Sequence, residues 1–153
     1  MKLDTRQIVV FQLHDQRYAL DLEVVERLVR IVEITSLPKA PDIVLGMIDV
    51  AGRVIAVVDV RRRFGLPARG TTLSDQIIIA RTSKRSVGLV VESTLGIREV
   101  SAFNLIGAEE ILPKIEYIKG VVRLSDGVVL IHDLESFLSL EEERAMEDSM
   151  PRA

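Results

Sequence analysis

The feature of this sequence that most constrains its fold is an internal repeat. One constant offset aligns Gly46 with Gly120 and Asp59 with Asp133, and a second, slightly shorter offset aligns Gln7 with Gln76. Apolar positions match between these anchors, so each copy reads as a hairpin, a connecting strand, a second hairpin and a short helix. About five strands are enough to close a small barrel with a filled interior. We therefore expect two similar small barrels packed side by side.

The composition supports a β-rich fold and narrows the function. Val and Ile together make up nearly a quarter of the 153 residues, and such β-branched side chains favour pleated, half-buried surfaces. The chain contains no Cys and two His, which argues against disulfides, thiolate catalysis and Cys- or His-rich metal centres. The net charge of −3 and the scarcity of aromatic residues argue against a dedicated nucleic-acid binder.

Alternating apolar residues and turn signals predict four hairpins. They join residues 8–13 to 18–20, 46–50 to 53–58, 76–81 to 86–91 and 117–124 to 128–131. Ala51-Gly52 and Asp126-Gly127 mark two of the tips, and tight two-residue turns suit the second pair. Residues 97–100 predict a further strand.

Capping residues predict three helices. Asp21 is placed to cap a helix that ends near Arg27, and Asp59 is placed to cap residues 60–64. Ser139 and Glu142 match a capping box that opens an acidic C-terminal helix. We expect one domain over residues 5–140, made of both barrel halves, followed by an acidic helix or tail over residues 141–153. Residues 68–75 form a polar loop that is the best candidate for mobility.

Two charged features have structural explanations that outweigh a chemical role. His132 aligns with the apolar Val58 of the other copy, and its neighbour Asp133 aligns with the helix cap Asp59. Adjacent residues on a strand face opposite sides, so His132 and Asp133 are not expected to act as a catalytic pair. The one basic cluster, residues 61–63 together with Arg53 and Arg69, is interpreted as a solvated helix face, with contact to an acidic protein partner as the next alternative.

No pattern in the sequence predicts catalysis. Nucleophile elbows, phosphate-cradling glycine loops and paired acidic metal motifs are missing, so we expect no enzyme activity, cofactor or metal. Since no run approaches the roughly 20 apolar residues that span a bilayer, and the N-terminus lacks a signal-peptide pattern, we expect a cytoplasmic protein without membrane insertion. Surface loops and the boundary between the barrels remain as binding surfaces.

Several strings in this sequence resemble CheW-like domains. The most specific is the stretch from Gly46 to Gly65, and the others follow in the same order as in that family. They are residues 10–11 with 18–26, residues 87–92 and residues 117–120. The resemblance extends from about Gln7 to Leu138. It implies two five-stranded SH3-like barrels packed side by side, with short helices and a C-terminal helix.

The resemblance also implies a function and partners. CheW-like adaptors are non-catalytic scaffolds that couple the cytoplasmic tips of chemoreceptors to the regulatory domain of a CheA-type histidine kinase, within receptor arrays that also contain other CheW-like proteins. Val25 and Gly46 match positions near the family's receptor-facing surface. With the apolar and charged residues of the second hairpin tip, they define the candidate partner-binding residues. These are Val24, Val25, Gly46, Asp49, Val50, Ala51, Gly52 and Arg53.

The hairpin tip departs from the family pattern. The family usually reads Asn-Leu-Arg-Gly where this chain has Asp49-Val50-Ala51-Gly52. The family's Arg contacts a partner, so Ala51 lacks a multidentate donor. We therefore predict a divergent adaptor that binds one of the two usual partners weakly or not at all. The alternative is a small-barrel nucleic-acid-binding protein, which would bind DNA or RNA in a salt-sensitive manner.

Overall fold

The computed structural model describes residues 5–101, 105–107, 117–137 and 139–149. Eleven strands are found in this part of the chain. They are β1 (Thr5–Leu13), β2 (Gln16–Asp21), β3 (Val25–Arg30), β4 (Val44–Val50), β5 (Arg53–Val58), β6 (Gln76–Arg81), β7 (Ser86–Val91), β8 (Ser93–Ser101), β9 (Leu105–Gly107), β10 (Ile118–Leu124) and β11 (Gly127–His132). Helix α1 covers Val60–Arg63 and helix α2 covers Leu140–Ser149, and a 3₁₀ turn covers Leu22–Val24. In these ranges, no helix has both the length and the apolar character needed for crossing a bilayer.

The strands form two sheets, which confirms the predicted mainly β fold. The first sheet has the order β8-β1-β2-β11-β10-β9, and the second has the order β3-β6-β7-β5-β4. The four predicted hairpins are β1–β2, β4–β5, β6–β7 and β10–β11. The short strand β9 adds a sixth member to the first sheet beside β10.

The two sheets repeat the same strand order, but each sheet contains strands from both copies of the sequence repeat. In the first sheet, β2 of the first copy pairs in parallel with β11 of the second copy, Leu130 beside Tyr18. The equivalent parallel pair in the second sheet joins β5 to β7, Ala56 beside Val87. The chain therefore exchanges its first hairpins between the barrels, whereas the repeat alone suggested that each contiguous copy closes its own.

Three clusters of buried side chains make up the core. One cluster draws only on strands of the first sheet and includes Ile8, Val122 and Val129. Another lies within the second sheet and its adjoining loop, around Ile55 and Ile77. The largest cluster joins both sheets to α1 and the C-terminal segment. Each sheet thus curls around its own small core, and the two are packed together through a third.

The predicted helix from Asp21 to Arg27 is wrong beyond one 3₁₀ turn. The chain returns to extended structure at Val25, which pairs with Ala80 of β6. Asp21 makes no side-chain cap hydrogen bond, because its buried carboxylate forms ion pairs with Lys119 and Arg6 instead. Tertiary charge pairs and β-branched residues therefore override the capping signal.

The helix α1 begins as predicted, at the cap Asp59, whose carboxylate accepts a hydrogen bond from the backbone N–H of Arg62. Its arginines, however, do not form a solvated face. Arg61 is buried and pairs with Glu92. Arg63 pairs with Glu142 and lies over the ring of Tyr117. Of the three arginines of α1, only Arg62 is largely exposed.

The C-terminal helix α2 starts with the predicted capping box. Ser139 Oγ accepts a hydrogen bond from the backbone N–H of Glu142 at 3.1 Å, and the Glu142 carboxylate accepts one from the N–H of Ser139 at 2.9 Å. The helix packs on the body of the protein, since Met146 is fully buried in the largest cluster. Arg85 adds an ion pair of 3.1 Å with Glu143.

Candidate partner-binding site

A hydrogen-bonded cluster joins the tip of the β4–β5 hairpin to the start of β3. Arg53 donates from Nη1 to Glu26 Oε2 at 3.1 Å and from Nη2 to Ser86 Oγ at 2.9 Å. Ser86 Oγ in turn donates to the other carboxylate oxygen of Glu26. This contact places the predicted residues of the hairpin tip next to Val25, although the two segments are far apart in sequence.

The hairpin tip is a two-residue turn between the paired residues Val50 and Arg53. Ala51 and Gly52 both have left-handed backbone angles, with φ values of 51° and 84°, as tight hairpin turns require. Asp49 Oδ1 accepts a hydrogen bond from the backbone N–H of Gly52 at 2.9 Å. Asp49 therefore stabilises the turn as well as placing a negative charge at the tip.

The electrostatic state of the cluster is fixed by its hydrogen bonds. The pKa of Glu26 is lowered from its ordinary value, first by the hydrogen bond from Ser86 and further by Arg53 and Arg81. Glu26 is thus ionised at neutral pH and neutralises Arg53, whose side chain remains mostly exposed. The cluster offers directional polar contacts and no group poised for proton transfer.

The apolar members of the predicted partner-binding set are only partly accessible. Val24 and Val25 are half-buried against the largest core cluster, and Val50 packs on the core of the second sheet. These residues present limited apolar surface to a partner. Aliphatic side chains with more exposed surface lie on β3 itself and on β8, the strand that the repeat aligns with β3.

Two such residues, Leu28 and Ile97, escaped the sequence interpretation. Leu28 on β3 is 45% exposed and Ile97 on β8 is 57% exposed. Each lies on an outer strand beside a buried residue, Ile78 and Val9 respectively. The offset that aligns Gln7 with Gln76 also aligns Leu28 with Ile97. The repeat therefore contained a signal that could have identified them.

Gly46 is separated from the rest of the predicted residues. It is buried on β4, whose last residue is Val50, and lies roughly 13 Å from that end along an extended strand. A Cβ atom at this position would collide with the backbone oxygen of Thr35. Gly46 allows residues 31–43 to close on β4, where Thr35 and Met47 form a β-bridge.

His132 lies in the largest core region and not at a surface site. It is 1% exposed and makes edge contacts with the rings of Phe64 and Phe137. Burial, with a smaller effect of Lys119, lowers its pKa to about 3. It therefore occupies the apolar position that its alignment with Val58 predicted. His14, at the first hairpin turn, is exposed.

Comparison with known proteins gives consistent matches over nearly the whole chain. The family model described as the CheW-like domain matches residues 7–142. The chemotaxis protein CheW of Rhizobium meliloti is 29% identical over 142 residues, which cover 92% of each chain. The chemotaxis protein CheW of Thermotoga maritima is 26% identical over 133 residues, covering 86% of this chain and 87% of the relative.

A solved structure agrees with these sequence matches. The crystal structure of the scaffolding protein TtCheW from Thermoanaerobacter tengcongensis superposes with a TM-score of 0.81 at 26% identity. The match covers 90% of this chain and 94% of that protein. The similarity therefore includes both sheets and their relative arrangement.

Proposed function

Because the chain belongs to the family of CheW-like domains, we propose that it is a non-catalytic adaptor that links chemoreceptors to a CheA-type histidine kinase in the cytoplasm. The observation that carries this proposal is the family match over residues 7–142, together with a fold that superposes on a scaffolding protein over nearly its full length. In this proposal, the tip of a chemoreceptor and the regulatory domain of the kinase bind different surfaces of the chain, and other CheW-like proteins complete the array.

The receptor side of the proposal rests on exposed aliphatic residues. A chemoreceptor tip is a helical hairpin, and an amphipathic helix binds by placing its apolar face against an apolar surface. Leu28 and Ile97 expose aliphatic side chains on the outer strands of the two sheets, β3 and β8. Val24 and Val25, at the start of β3, add partly exposed aliphatic side chains.

The hairpin tip carries the proposed divergence. Ala51 presents a methyl group where the family usually has Arg, and the neighbouring Arg53 is neutralised by Glu26. If a carboxylate of the partner faces position 51, this chain has no guanidinium there to bind that carboxylate through two hydrogen bonds. We therefore expect one of the two partner interactions to be weaker than in adaptors that keep the tip Arg.

Separate binding measurements with the two partners test this proposal. Affinities are measured for a cognate receptor-tip fragment and for the kinase regulatory domain, with the wild-type chain and with Ala51→Arg. We expect Ala51→Arg to strengthen one interaction about tenfold, within the range of one charge-assisted contact. Ser125→Arg is the matched control, because Ser125 is the equivalent turn position of the β10–β11 hairpin and is also exposed.

Each outcome of these measurements bears on a different part of the proposal. Equal, strong binding of the wild-type chain to both partners contradicts the divergence. An unchanged affinity of Ala51→Arg for both partners rules out the missing guanidinium as its cause. Binding to neither partner, together with salt-sensitive binding to DNA or RNA, would favour the nucleic-acid alternative. The internal ion pairs of Arg61 and Arg63 weigh against that alternative, since they remove cations from the surface that phosphates would contact.

A further inference from the structure

The strand β3 forms an edge of the second sheet. It pairs with β6 on one side, and no strand of the described residues pairs with its other side. The register with β6 is regular from Arg27 to Arg30, because the irregularity in this pairing lies between Val25 and Arg27. The edge of a sheet carries backbone N–H and C=O groups without partners, and such groups can pair with a further strand.

The hydrogen-bond pattern identifies the backbone groups that face outward. The N–H of Ile31 donates to the carbonyl of Asp75 at 3.3 Å, and these two residues extend the register of β3 with β6 by one position. In an antiparallel pair, hydrogen-bonded positions alternate with positions that are not hydrogen-bonded. Val29 therefore bonds to β6 as Ile31 bonds to Asp75, whereas the backbone groups of Leu28 and Arg30 point away from the sheet.

The side chains along this edge are exposed and carry positive charge. Leu28 is 45% exposed, and Arg27 and Arg30 are also exposed. Neither arginine forms an ion pair with a carboxylate of the described residues. Glu26 is the only acidic residue of the strand, and it is already bonded within the cluster at the hairpin tip. In this part of the chain, the edge thus combines one apolar side chain with two cations that lack partners.

These charges decide which kind of strand fits the edge. Charged side chains on an exposed edge oppose its pairing with another strand of the same charge, and like charges directly opposite each other destabilise a sheet. Since Glu26 is already bonded, two copies of the chain paired through β3 would bring their arginines together without a free carboxylate. A segment with carboxylates opposite Arg27 and Arg30 would instead gain cross-strand ion pairs. Charge complementarity therefore favours an acidic segment over a second copy.

We propose that the edge of β3 binds an extended acidic segment of a partner protein as an added strand. In an antiparallel arrangement, the residues opposite Leu28 and Arg30 exchange backbone hydrogen bonds with them. Directly opposite side chains lie on the same face of a sheet. The segment therefore carries an acidic residue opposite Arg27, an apolar residue opposite Leu28 and a second acidic residue opposite Arg30. Its sequence, from the N-terminus, is acidic, any residue, apolar, acidic.

This inference does not rest on the proposed adaptor function. A helix that packs on Leu28 buries side chains and leaves the backbone edge of β3 unpaired. An added strand bonds to the backbone itself. The two binding modes are therefore distinguishable, because only the added strand is sensitive to chemical changes in the backbone of the ligand.

A synthetic peptide with the predicted pattern tests the strand addition. The peptide is acetyl-Thr-Thr-Glu-Thr-Ile-Glu-Thr-Thr-amide, titrated to about 5 mM into the isotope-labelled full chain and followed by NMR of the backbone amides. We expect saturable shifts centred on β3, with a Kd on the order of 0.1–1 mM, because the contact consists of a few hydrogen bonds and exposed ion pairs. The amide protons of Leu28 and Arg30 should exchange with solvent more slowly in the complex.

Peptides methylated on backbone nitrogens separate strand pairing from charge attraction. In the first, methyl groups on the nitrogens of Ile and of the first Glu block the bonds to Leu28 and Arg30, and binding should weaken about tenfold or more. In the second, methyl groups on the nitrogens of the central Thr and the second Glu point away from β3, and binding should be unchanged. Equal affinities of the two methylated peptides would overturn the strand arrangement.

Charge reversal tests the choice of an acidic partner. A variant with both Arg27→Glu and Arg30→Glu should not bind the acidic peptide and should bind the same peptide with Lys in place of each Glu. Arg123→Glu is the matched control, since Arg123 is an exposed arginine on β10 of the first sheet, and this variant should bind the acidic peptide like the wild type. Circular dichroism checks that each variant keeps its fold.

Several results would overturn the proposal. One is the absence of shifts in β3 at about 5 mM acidic peptide, and another is equal binding of the Lys peptide by the wild-type chain. Shifts confined to another surface would contradict the assignment of the site to β3. Shifts of β3 that depend on protein concentration without peptide would show that a second copy occupies the edge in place of an acidic partner.

Discussion

At the scale of single residues, His132 is a polar side chain in an apolar position. Neither ring nitrogen has a hydrogen-bond partner in the part of the chain that the structure describes. The equivalent position in the other sheet is Val58, which is fully buried. A buried polar group without partners destabilises the folded state by about 1–3 kcal/mol, so His132 is a place where the sequence can be improved.

We predict that His132→Leu raises the free energy of unfolding by about 1–2 kcal/mol at pH 7. Leucine keeps most of the volume and removes two unpaired nitrogens from the core. Urea denaturation measures the change, and His14→Asn is the control, because His14 is exposed and its φ of 55° suits Asn. A destabilised His132→Leu variant would show that the imidazole makes a favourable polar contact.

The same residue predicts a pH dependence. The pKa of His132 is about 3 in the folded chain against an ordinary 6.5, so the unfolded chain binds a proton first as pH falls. The contribution of His132 to the free energy of unfolding is therefore full above pH 6.5 and declines toward pH 3, by about 1.4 kcal/mol per pH unit at most. His132→Leu should flatten the decline between pH 7 and 5. An unchanged slope would contradict the buried, neutral imidazole.

Gly46 is a second residue that matters for stability, because the backbone of Thr35 leaves no room for a side chain there. Gly46→Ala places a methyl group against the Thr35 carbonyl and should lower the free energy of unfolding by about 2–4 kcal/mol. Gly70→Ala is the control, since a Cβ there meets no atom within 4 Å, and it should change stability by less than about 0.5 kcal/mol. If Gly46→Ala is as stable as the wild type, then the 31–43 loop does not close on β4 as described.

At the scale of elements, α1 carries two neighbouring arginines in opposite environments. Arg61 is 9% exposed and pairs with Glu92 at the crossover from β7 to β8, while Arg62 pairs with Asp42 in solvent. A pair removed from water leaves an uncompensated charge when one partner is deleted. An exposed pair is screened by solvent and contributes little.

Alanine substitution of each arginine should separate these two cases. Arg61→Ala should cost about 1–3 kcal/mol of unfolding free energy, a value that allows for the partial exposure of Glu92. Arg62→Ala should cost less than about 0.5 kcal/mol. Thermal and urea denaturation measure both, and equal effects would restore the interpretation of this cluster as a solvated helix face.

The local elements were largely predictable, and the particular residues show why. Alternation and turn signals are local, so they were sufficient to predict the hairpins. Ser139 and Glu142 predicted the start of α2, because their capping contacts lie within a single helical turn. Arg61 could not be placed, because its partner Glu92 lies on a different element, well beyond the reach of any local pattern. Asp21 misled for the same reason, since Lys119 comes from the other end of the chain and outweighs the local capping signal.

At the scale of the whole molecule, the exchanged hairpins make the two sheets interdependent. The repeat predicted two similar barrels packed side by side. It could not predict the exchange of hairpins. The exchange depends on the parallel pairing of β2 with β11 and of β5 with β7, and these strands are far apart in sequence, so no local pattern indicates that they pair. The sequence singled out the hairpin tip as a candidate site, which stays a prediction, and it did not single out Leu28, Ile97 or the link through Ser86.

We predict that both sheets unfold in a single transition. Each sheet contains strands of both copies, and the largest core cluster joins both sheets. Urea unfolding followed by far-UV circular dichroism and by tyrosine fluorescence should give coincident curves, as expected of a two-state domain. Two separated transitions would mean that the sheets fold independently.

The most direct measurement of the central claim is whether this chain bridges its two proposed partners. Receptor-tip assemblies are sedimented with the kinase regulatory domain, with and without the chain, and the kinase domain in the pellet is quantified. The account predicts kinase domain in the pellet only when the chain is present, and more of it with Ala51→Arg than with the wild type or Ser125→Arg. Equal amounts of kinase domain with and without the chain would contradict the assignment as an adaptor.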